Sequence, residues 1–150
     1  MLKKLFIILI SGFILTSCAG QKNVTGGGSI AAGSQEDLIV NVGDRVFFEF
    51  DSFEITVDGQ STLDAQVAWL KQYSEVDITI EGHADERGTR EYNLALGAKR
   101  ANTVYNYLMD AGIANTRMNT VSFGKERPEV VGSTDSAWSQ NRRSVTTVTK

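Results

Sequence analysis

The sequence predicts one α+β domain over residues 44–150, in which helices pack on a mixed four-stranded sheet. Short segments with the two-residue alternation of strands are separated by longer segments whose apolar residues recur at helical spacing. A crossover from strand through helix to strand normally joins parallel strands of one sheet. The predicted order is strand, helix, strand, helix, strand, short helix, strand, or βαβαβ(α)β.

The first three elements are a strand, a helix and a second strand. Residues 45–50 read Arg-Val-Phe-Phe-Glu-Phe and form the predicted first strand. Ser61 is a candidate N-cap for the first helix. Three residues on this helix share a face, with Trp69 beside them: Leu63, Val67 and Leu70. Residues 77–83 alternate isoleucine with threonine and glutamate, which predicts the second strand.

A long helix is predicted from residue 89 to 111, with Gly112 ending it. Its predicted core face consists of Leu94, Ala98, Ala101, Tyr105 and Leu108. Asn93 and Arg100 are predicted to lie on another face, roughly 100–120° around the helix. The remaining elements are predicted at 119–123 (strand), 136–141 (short helical turn) and 144–149 (strand).

The most informative residues lie where the second strand gives way to the long helix. Asp85 follows the strand, and Arg100 lies on the helix. An acid and an arginine so placed could bracket a ligand that carries both an amine and a carboxylate, with the guanidinium fork on the carboxylate. Gly97 costs about 1 kcal/mol against alanine inside a helix, which favours a close approach to the backbone there.

This pattern resembles the OmpA-like peptidoglycan-binding domain family. The family motif has an acid after the second strand, then Asn, Leu and Arg-Ala on the next helix. The matching residues are Asp85, Asn93, Leu96, Arg100 and Ala101. Residues 50–52, 83–93 and 137–143 extend the resemblance over about 44–150 and make it closest to the lipoprotein branch. Ala84 and Gly97 depart from the broader family, where many members carry threonine and serine, and agree with that branch.

The resemblance implies a binding protein without catalytic activity or cofactor. Its implied ligand is the diaminopimelate side chain of wall stem peptides, with Asp85 meeting the ammonium and Arg100 the carboxylate. Asp51, Ser52 and Phe53 could form another wall of the pocket, or an ordinary strand-end turn. Arg142 could add a carboxylate contact or brace the last strand. The full candidate set for peptidoglycan is Asp85, Arg100, Asn93, Leu96, Gly97, Asp51, Ser52, Phe53 and Arg142.

The resemblance also implies a protein partner, the periplasmic β-propeller of the Tol system, which would bind near the same turn and compete with the wall. Candidate residues for that surface are Glu86, Arg87, Arg90 and Glu91, although these charges could instead pair with one another. Two rival functions stay open. One is a wall-modifying hydrolase using Asp85 and Glu86, although adjacent turn residues usually point apart. The other is a protein-binding adaptor that ignores the wall.

The N-terminus predicts export and lipidation. Lys3 and Lys4 precede an apolar run over 5–15, the layout of a signal peptide, here residues 1–17. Leu-Thr-Ser-Cys at 15–18 resembles the bacterial lipobox, whose cysteine, here Cys18, becomes acylated. The residue after the cysteine is Ala19 rather than an aspartate, which resembles the sorting signal of outer-membrane lipoproteins. The expected location is the outer membrane, lipid-anchored, with the domain facing the periplasm.

Residues 18–43 are predicted to be the acylated cysteine and a flexible tether, since they are rich in Gly, Ser, Ala, Asn and Gln. The chain has a net charge of −3, which loss of the two lysines within residues 1–17 makes −5. An acidic domain without a basic stripe lacks the positively charged surface that binds nucleic acid. One cysteine and one histidine argue against a metal site.

Overall fold

A computed structural model describes residues 30–150; the predicted signal peptide, Cys18 and the first part of the tether lie outside this range. Four strands form one sheet: β1 (Arg45–Phe47), β2 (Ile78–His83), β3 (Met118–Gly124) and β4 (Arg143–Val148). The strand order is β1-β4-β2-β3. Strand β4 runs antiparallel to β1 and β2, whereas β2 and β3 are parallel. The predicted α+β class with a mixed four-stranded sheet is confirmed.

Four helices accompany the sheet within residues 30–150: α1 (Gln35–Asp37), α2 (Val57–Gln72), α3 (Arg90–Asp110) and α4 (Asp135–Asn141). A π-helical turn (Leu38–Val42) continues α1, and a 3-10 turn (Asn115–Arg117) precedes β3. Gly112 follows α3 with φ of +95°, as expected for a helix end. Within this part of the chain, none of the helices has the length and apolar character needed to span a membrane.

Helix α2 begins earlier than predicted. Its N-cap is Thr56, whose Oγ1 accepts a hydrogen bond from the backbone N–H of Gly59 at 3.1 Å. The prediction of Ser61 as the cap is therefore wrong, because a threonine five residues upstream satisfies the first free N–H groups of the helix.

The first strand is shorter than predicted. Strand β1 ends at Phe47, and residues 48–53 form a loop in which Asp51 has φ of +54°. The carbonyl oxygens of Glu49 and Ser52 in this loop accept hydrogen bonds from Arg100 on α3. Those bonds hold the segment as a loop rather than as an extended strand.

Part of the predicted tether belongs to the folded domain. Leu38 is completely buried in the core, and the carboxylate of Asp37 accepts a hydrogen bond from Trp69 Nε1 at 2.9 Å. The structured domain therefore starts near residue 34, before the predicted boundary at 44. Composition alone favoured a tether there, because few side chains of this segment, mainly Leu38, Val42 and Asp37, make these contacts.

The buried face of α3 also differs from the prediction. Leu94 is 48% exposed, whereas Asn93 and Arg100 are buried together with Ala101 and Val104. A Cβ on Gly97 would overlap Ser122 Oγ and lie 2.8 Å from the carbonyl oxygen of Gly82. Gly97 on α3 and Gly82 on β2 have no side chains, so α3 can pack directly on β2 and β3. The close approach to the backbone that Gly97 predicted is therefore made by the sheet. The same packing places Asn93 and Arg100 in the interior.

Candidate functional site

A cavity of about 220 Å³ lies where β2 ends and α3 begins. Its walls come from the loop after β1, the turn between β2 and α3, the first turns of α3 and the start of β4. The lining residues are Phe50, Asp51, Asp85, Arg87, Gly88, Tyr92, Asn93, Leu96, Arg100 and Arg142. Six of the nine candidate peptidoglycan residues therefore line one cavity, although they are widely separated in sequence.

Asp85 is the acid of this cavity and is only 5% exposed. Its Oδ1 accepts from the backbone N–H and Nε of Arg87, both at 3.1 Å, and its Oδ2 accepts from Arg87 Nη2 at 2.6 Å and Arg142 Nη1 at 3.4 Å. Burial raises the pKa of Asp85, but the hydrogen bonds from Arg87 and Arg142 outweigh it and hold the pKa below its usual range. Four donors use the roughly four acceptor positions of a carboxylate. An incoming ammonium must therefore displace one of them, and the longest bond comes from Arg142.

Arg100 is fully buried and binds three backbone carbonyl groups. Its Nε donates to Ser52 O and its Nη1 to His83 O, both at 2.8 Å, and its Nη2 donates to Glu49 O at 3.2 Å. It forms no ion pair with any carboxylate in residues 30–150. Burial, followed by the nearby charge of Arg142, lowers the pKa of Arg100 to about 10. A guanidinium has five N–H donors, so two remain beyond these bonds.

Arg87 was predicted to lie on the protein-partner surface, but the structure places it in the cavity wall. Its guanidinium carbon lies 4.1 Å from the ring centroids of both Phe50 and Trp138. A cation held between two aromatic faces has few alternative positions. Trp138 and Phe50 therefore fix the arginine that pairs with Asp85.

Asn93 and Tyr92 shape the cavity from the first turn of α3. Asn93 Nδ2 donates to the backbone oxygen of Arg87 at 2.9 Å, which holds the β2–α3 turn. The Tyr92 hydroxyl donates to the carboxylate of Asp51 across the cavity, and this bond raises the pKa of Tyr92. The helix starts here because Thr89 Oγ1 accepts from Tyr92 N at 3.2 Å.

Three candidate residues do not line the cavity. Ser52 takes part through its backbone oxygen, which supports Arg100. The ring of Phe53 is 41% exposed and lies 5.2 Å from Lys99 Nζ. Gly97 packs against β2 and β3. The structure therefore assigns Ser52 and Gly97 to building the site rather than to its surface.

The other three charges of the turn lie outside the cavity. Glu86 accepts from Trp138 Nε1 at 3.0 Å, and hydrogen bonds from Ser133 and Trp138 lower its pKa. Arg90 is exposed and pairs with Glu126 at 3.2 Å. Glu91 is exposed on the first turn of α3.

Arg142 joins this cavity to a neighbouring groove. Its Nε donates to Phe48 O at 2.9 Å, so it braces the loop after β1 as well as contacting Asp85. The groove measures about 500 Å³ and is bounded by β1, the start of α2 and α4. It is larger than the cavity but contains neither Asp85 nor Arg100.

Sequence reasoning missed Phe50, Tyr92 and Trp138 as parts of the site. Phe50 was placed in a strand, and only the turn at Asp51 brings it to the cavity. The role of Arg87 had a local signal: a backbone N–H two residues after an aspartate commonly bonds its side chain, which brings the arginine close to that carboxylate.

The sequence profile described as the OmpA family matches residues 47–142. The chain belongs to the OmpA family. A relative from Rhizobium meliloti (strain 1021), named peptidoglycan-associated lipoprotein, is 52% identical over 148 residues, covering 93% of this chain and 84% of the relative. A protein of the same name from Haemophilus influenzae is 36% identical, covering 92% of this chain and 94% of its own length.

Two solved structures agree with this fold. The peptidoglycan-associated lipoprotein from Burkholderia pseudomallei superposes with a TM-score of 0.69 and 40% identity, over 71% of this chain and 90% of that one. The C-terminal domain of Helicobacter pylori MotB gives a TM-score of 0.66 at 20% identity, over 71% of this chain and 84% of that one. The second likeness concerns the fold alone.

Proposed function

We propose that this protein is an outer-membrane lipoprotein without catalytic activity that anchors the membrane to peptidoglycan. Its domain binds the diaminopimelate side chain of wall stem peptides non-covalently. The observation that carries the proposal is Arg100, a buried guanidinium that lacks a carboxylate partner within residues 30–150 and shares one cavity with Asp85. The relatives named peptidoglycan-associated lipoprotein support the same ligand class.

The diaminopimelate side chain ends in a carbon that bears both an ammonium and a carboxylate. The carboxylate accepts from the two N–H groups of Arg100 that the backbone carbonyls leave over. The ammonium donates to Asp85 and replaces the long bond from Arg142. Arg100 exposes no surface, so the carboxylate reaches it only when lining side chains shift, and the half-exposed Tyr92 is the candidate to move.

The low pKa of Asp85 supports binding rather than general acid catalysis. A general acid at neutral pH needs a raised pKa, and the hydrogen bonds from Arg87 act in the opposite direction. Glu86, the second acid of the rival hydrolase, bonds Trp138 outside the cavity. Purified wall incubated with a hydrolase would release soluble fragments, whereas the proposed anchor leaves the wall intact.

The proposed attachment to the membrane rests on the sequence. Acylation of Cys18 would hold the chain at the outer membrane, and residues 19–33 would connect it to the domain. Fifteen residues at full extension span about 50 Å. The domain can therefore reach a layer that lies within that distance of the membrane. Replacing Cys18 by serine should leave the protein soluble in the periplasm after cell fractionation.

We further propose the periplasmic β-propeller of the Tol system as a protein partner, with a role in envelope constriction during division. Phe50 is 61% exposed and Tyr92 is 51% exposed at the cavity mouth, a pair of aromatic surfaces that suits a protein contact. Exposed Arg90 and Glu91 lie on the same turn. A partner on this surface would cover the cavity, so wall and propeller should compete.

Co-sedimentation tests the anchor function. The lipid-free chain, residues 19–150, is mixed with wall containing diaminopimelate and with wall containing lysine at that position. Arg90→Ala serves as the matched control because it removes an exposed arginine of the same turn outside the cavity. The parent and the control should pellet only with diaminopimelate wall. Asp85→Asn and Arg100→Ala, checked for folding by circular dichroism, should stay in the supernatant, with a loss of about 2–5 kcal/mol of binding.

Equal pelleting with both walls would contradict diaminopimelate recognition. A folded chain that ignores both walls but binds the propeller would favour the adaptor function. Release of wall-bound protein by added propeller would support competition between the two partners.

A further inference from the structure

The charges that line the cavity do not balance. Three are arginines, Arg87, Arg100 and Arg142, and two are aspartates, Asp51 and Asp85. Asp85 pairs with Arg87 and Arg142, whereas Asp51 accepts from the hydroxyl of Tyr92. Arg100 bonds only backbone carbonyls. The excess positive charge therefore resides on the most deeply buried guanidinium of the site.

A buried cation is stabilised far more by a negative charge than by a dipole. Carbonyl groups supply only dipoles, and the pKa of Arg100, lowered by burial and by Arg142, reflects this shortage. A carboxylate at the two remaining N–H groups would supply the missing charge. A carboxamide of the same shape offers one neutral oxygen acceptor, and its NH2 group would face further donors.

We propose that this site distinguishes a free side-chain carboxylate on diaminopimelate from the corresponding carboxamide, so that amidation of that carboxyl group releases the wall. The inference rests on the proposed function, because it concerns the same ligand in the same cavity. An enzyme that converts this carboxylate into an amide would act as a regulator of membrane attachment. The determinant is the charge of the ligand at Arg100 rather than its size.

The test uses the full-length chain in detergent and isothermal titration calorimetry with three synthetic peptides. The parent peptide is L-alanyl-γ-D-glutamyl-diaminopimelate with all carboxyl groups free. The second carries an amide on the side-chain carboxyl group of diaminopimelate. The third carries an amide on the α-carboxyl group of glutamate, which gives the same net charge as the second and leaves the carboxylate for Arg100 intact.

The second peptide should bind about tenfold more weakly, or worse, because a charge-assisted hydrogen bond becomes a neutral one. The third should bind like the parent. Equal binding of all three peptides would overturn the inference and leave the proposed function standing. Equal weakening by both amides would also overturn it, since the effect would then be long-range charge. Binding of none of them would refute the proposed function itself.

Discussion

Arg100→Lys separates the shape of the buried cation from its charge. The guanidinium reaches carbonyl oxygens of three residues, Ser52 and His83 at 2.8 Å and Glu49 at 3.2 Å. A lysine ammonium is a point donor, so it can keep one or two of these bonds and removes the charged donor from at least one carbonyl. Each such loss costs about 1–3 kcal/mol. We expect the free energy of unfolding to fall by about 2–4 kcal/mol.

Urea denaturation followed by tryptophan fluorescence measures this loss, since the chain has two tryptophans. Arg90→Lys is the control, because Arg90 is exposed and its replacement should change stability by less than about 0.5 kcal/mol. Wall binding of folded Arg100→Lys should also fall, because the two spare N–H groups are lost with the fork. A stability loss below about 1 kcal/mol would refute the view that Arg100 ties the loop after β1 to β2 and α3.

Three further measurements test other contacts. Gly97→Ala should lower the free energy of unfolding by about 1–3 kcal/mol, because its Cβ would meet the sheet; an unchanged thermal midpoint would contradict that packing. The imidazole of His83, the chain's single histidine, should titrate near pH 4 by NMR, since burial, then Arg143, lowers its pKa to about 4. The unfolded chain binds that proton near pH 6.5, so stability should fall as pH drops from 6.5 to 4, by up to about 3 kcal/mol; a midpoint above 6 would argue against a buried neutral ring. Arg87→Gln should raise the pKa of Asp85, because hydrogen bonds from Arg87 lower it; an unchanged carboxyl titration would show that the pair does not form.

Strand and helix order could be predicted from the sequence because periodicity records which side chains face the core. The strand β2 that ends before Asp85 and the helix α3 that Thr89 caps produce local patterns of this kind. The buried face of α3 could not be predicted in the same way. Periodicity treats arginine and asparagine as polar and outward, whereas here Arg100 satisfies distant backbone carbonyls and Asn93 holds a turn.

The candidate site was predicted in part for the same reason. Asp85, Arg100 and Asn93 share a short segment that the family motif marks, and the structure brings them together. The guanidinium of Arg87 lies between the rings of Phe50 and Trp138, and these three residues come from separate segments of the chain. No local sequence pattern predicts that contact. Leu38 shows the same limit, because it opens a short apolar run at 38–40 in which Leu38 is buried while Ile39 and Val40 are exposed, and composition does not distinguish them.

The most direct test of the central claim is a crystal structure of the domain with the diaminopimelate tripeptide. We expect the head group in the cavity beside Tyr92, with its carboxylate hydrogen-bonded to Arg100 and its ammonium bonded to Asp85 in place of Arg142. A peptide bound instead in the groove beside Phe47, with Arg100 contacting only its three carbonyl partners, would contradict it.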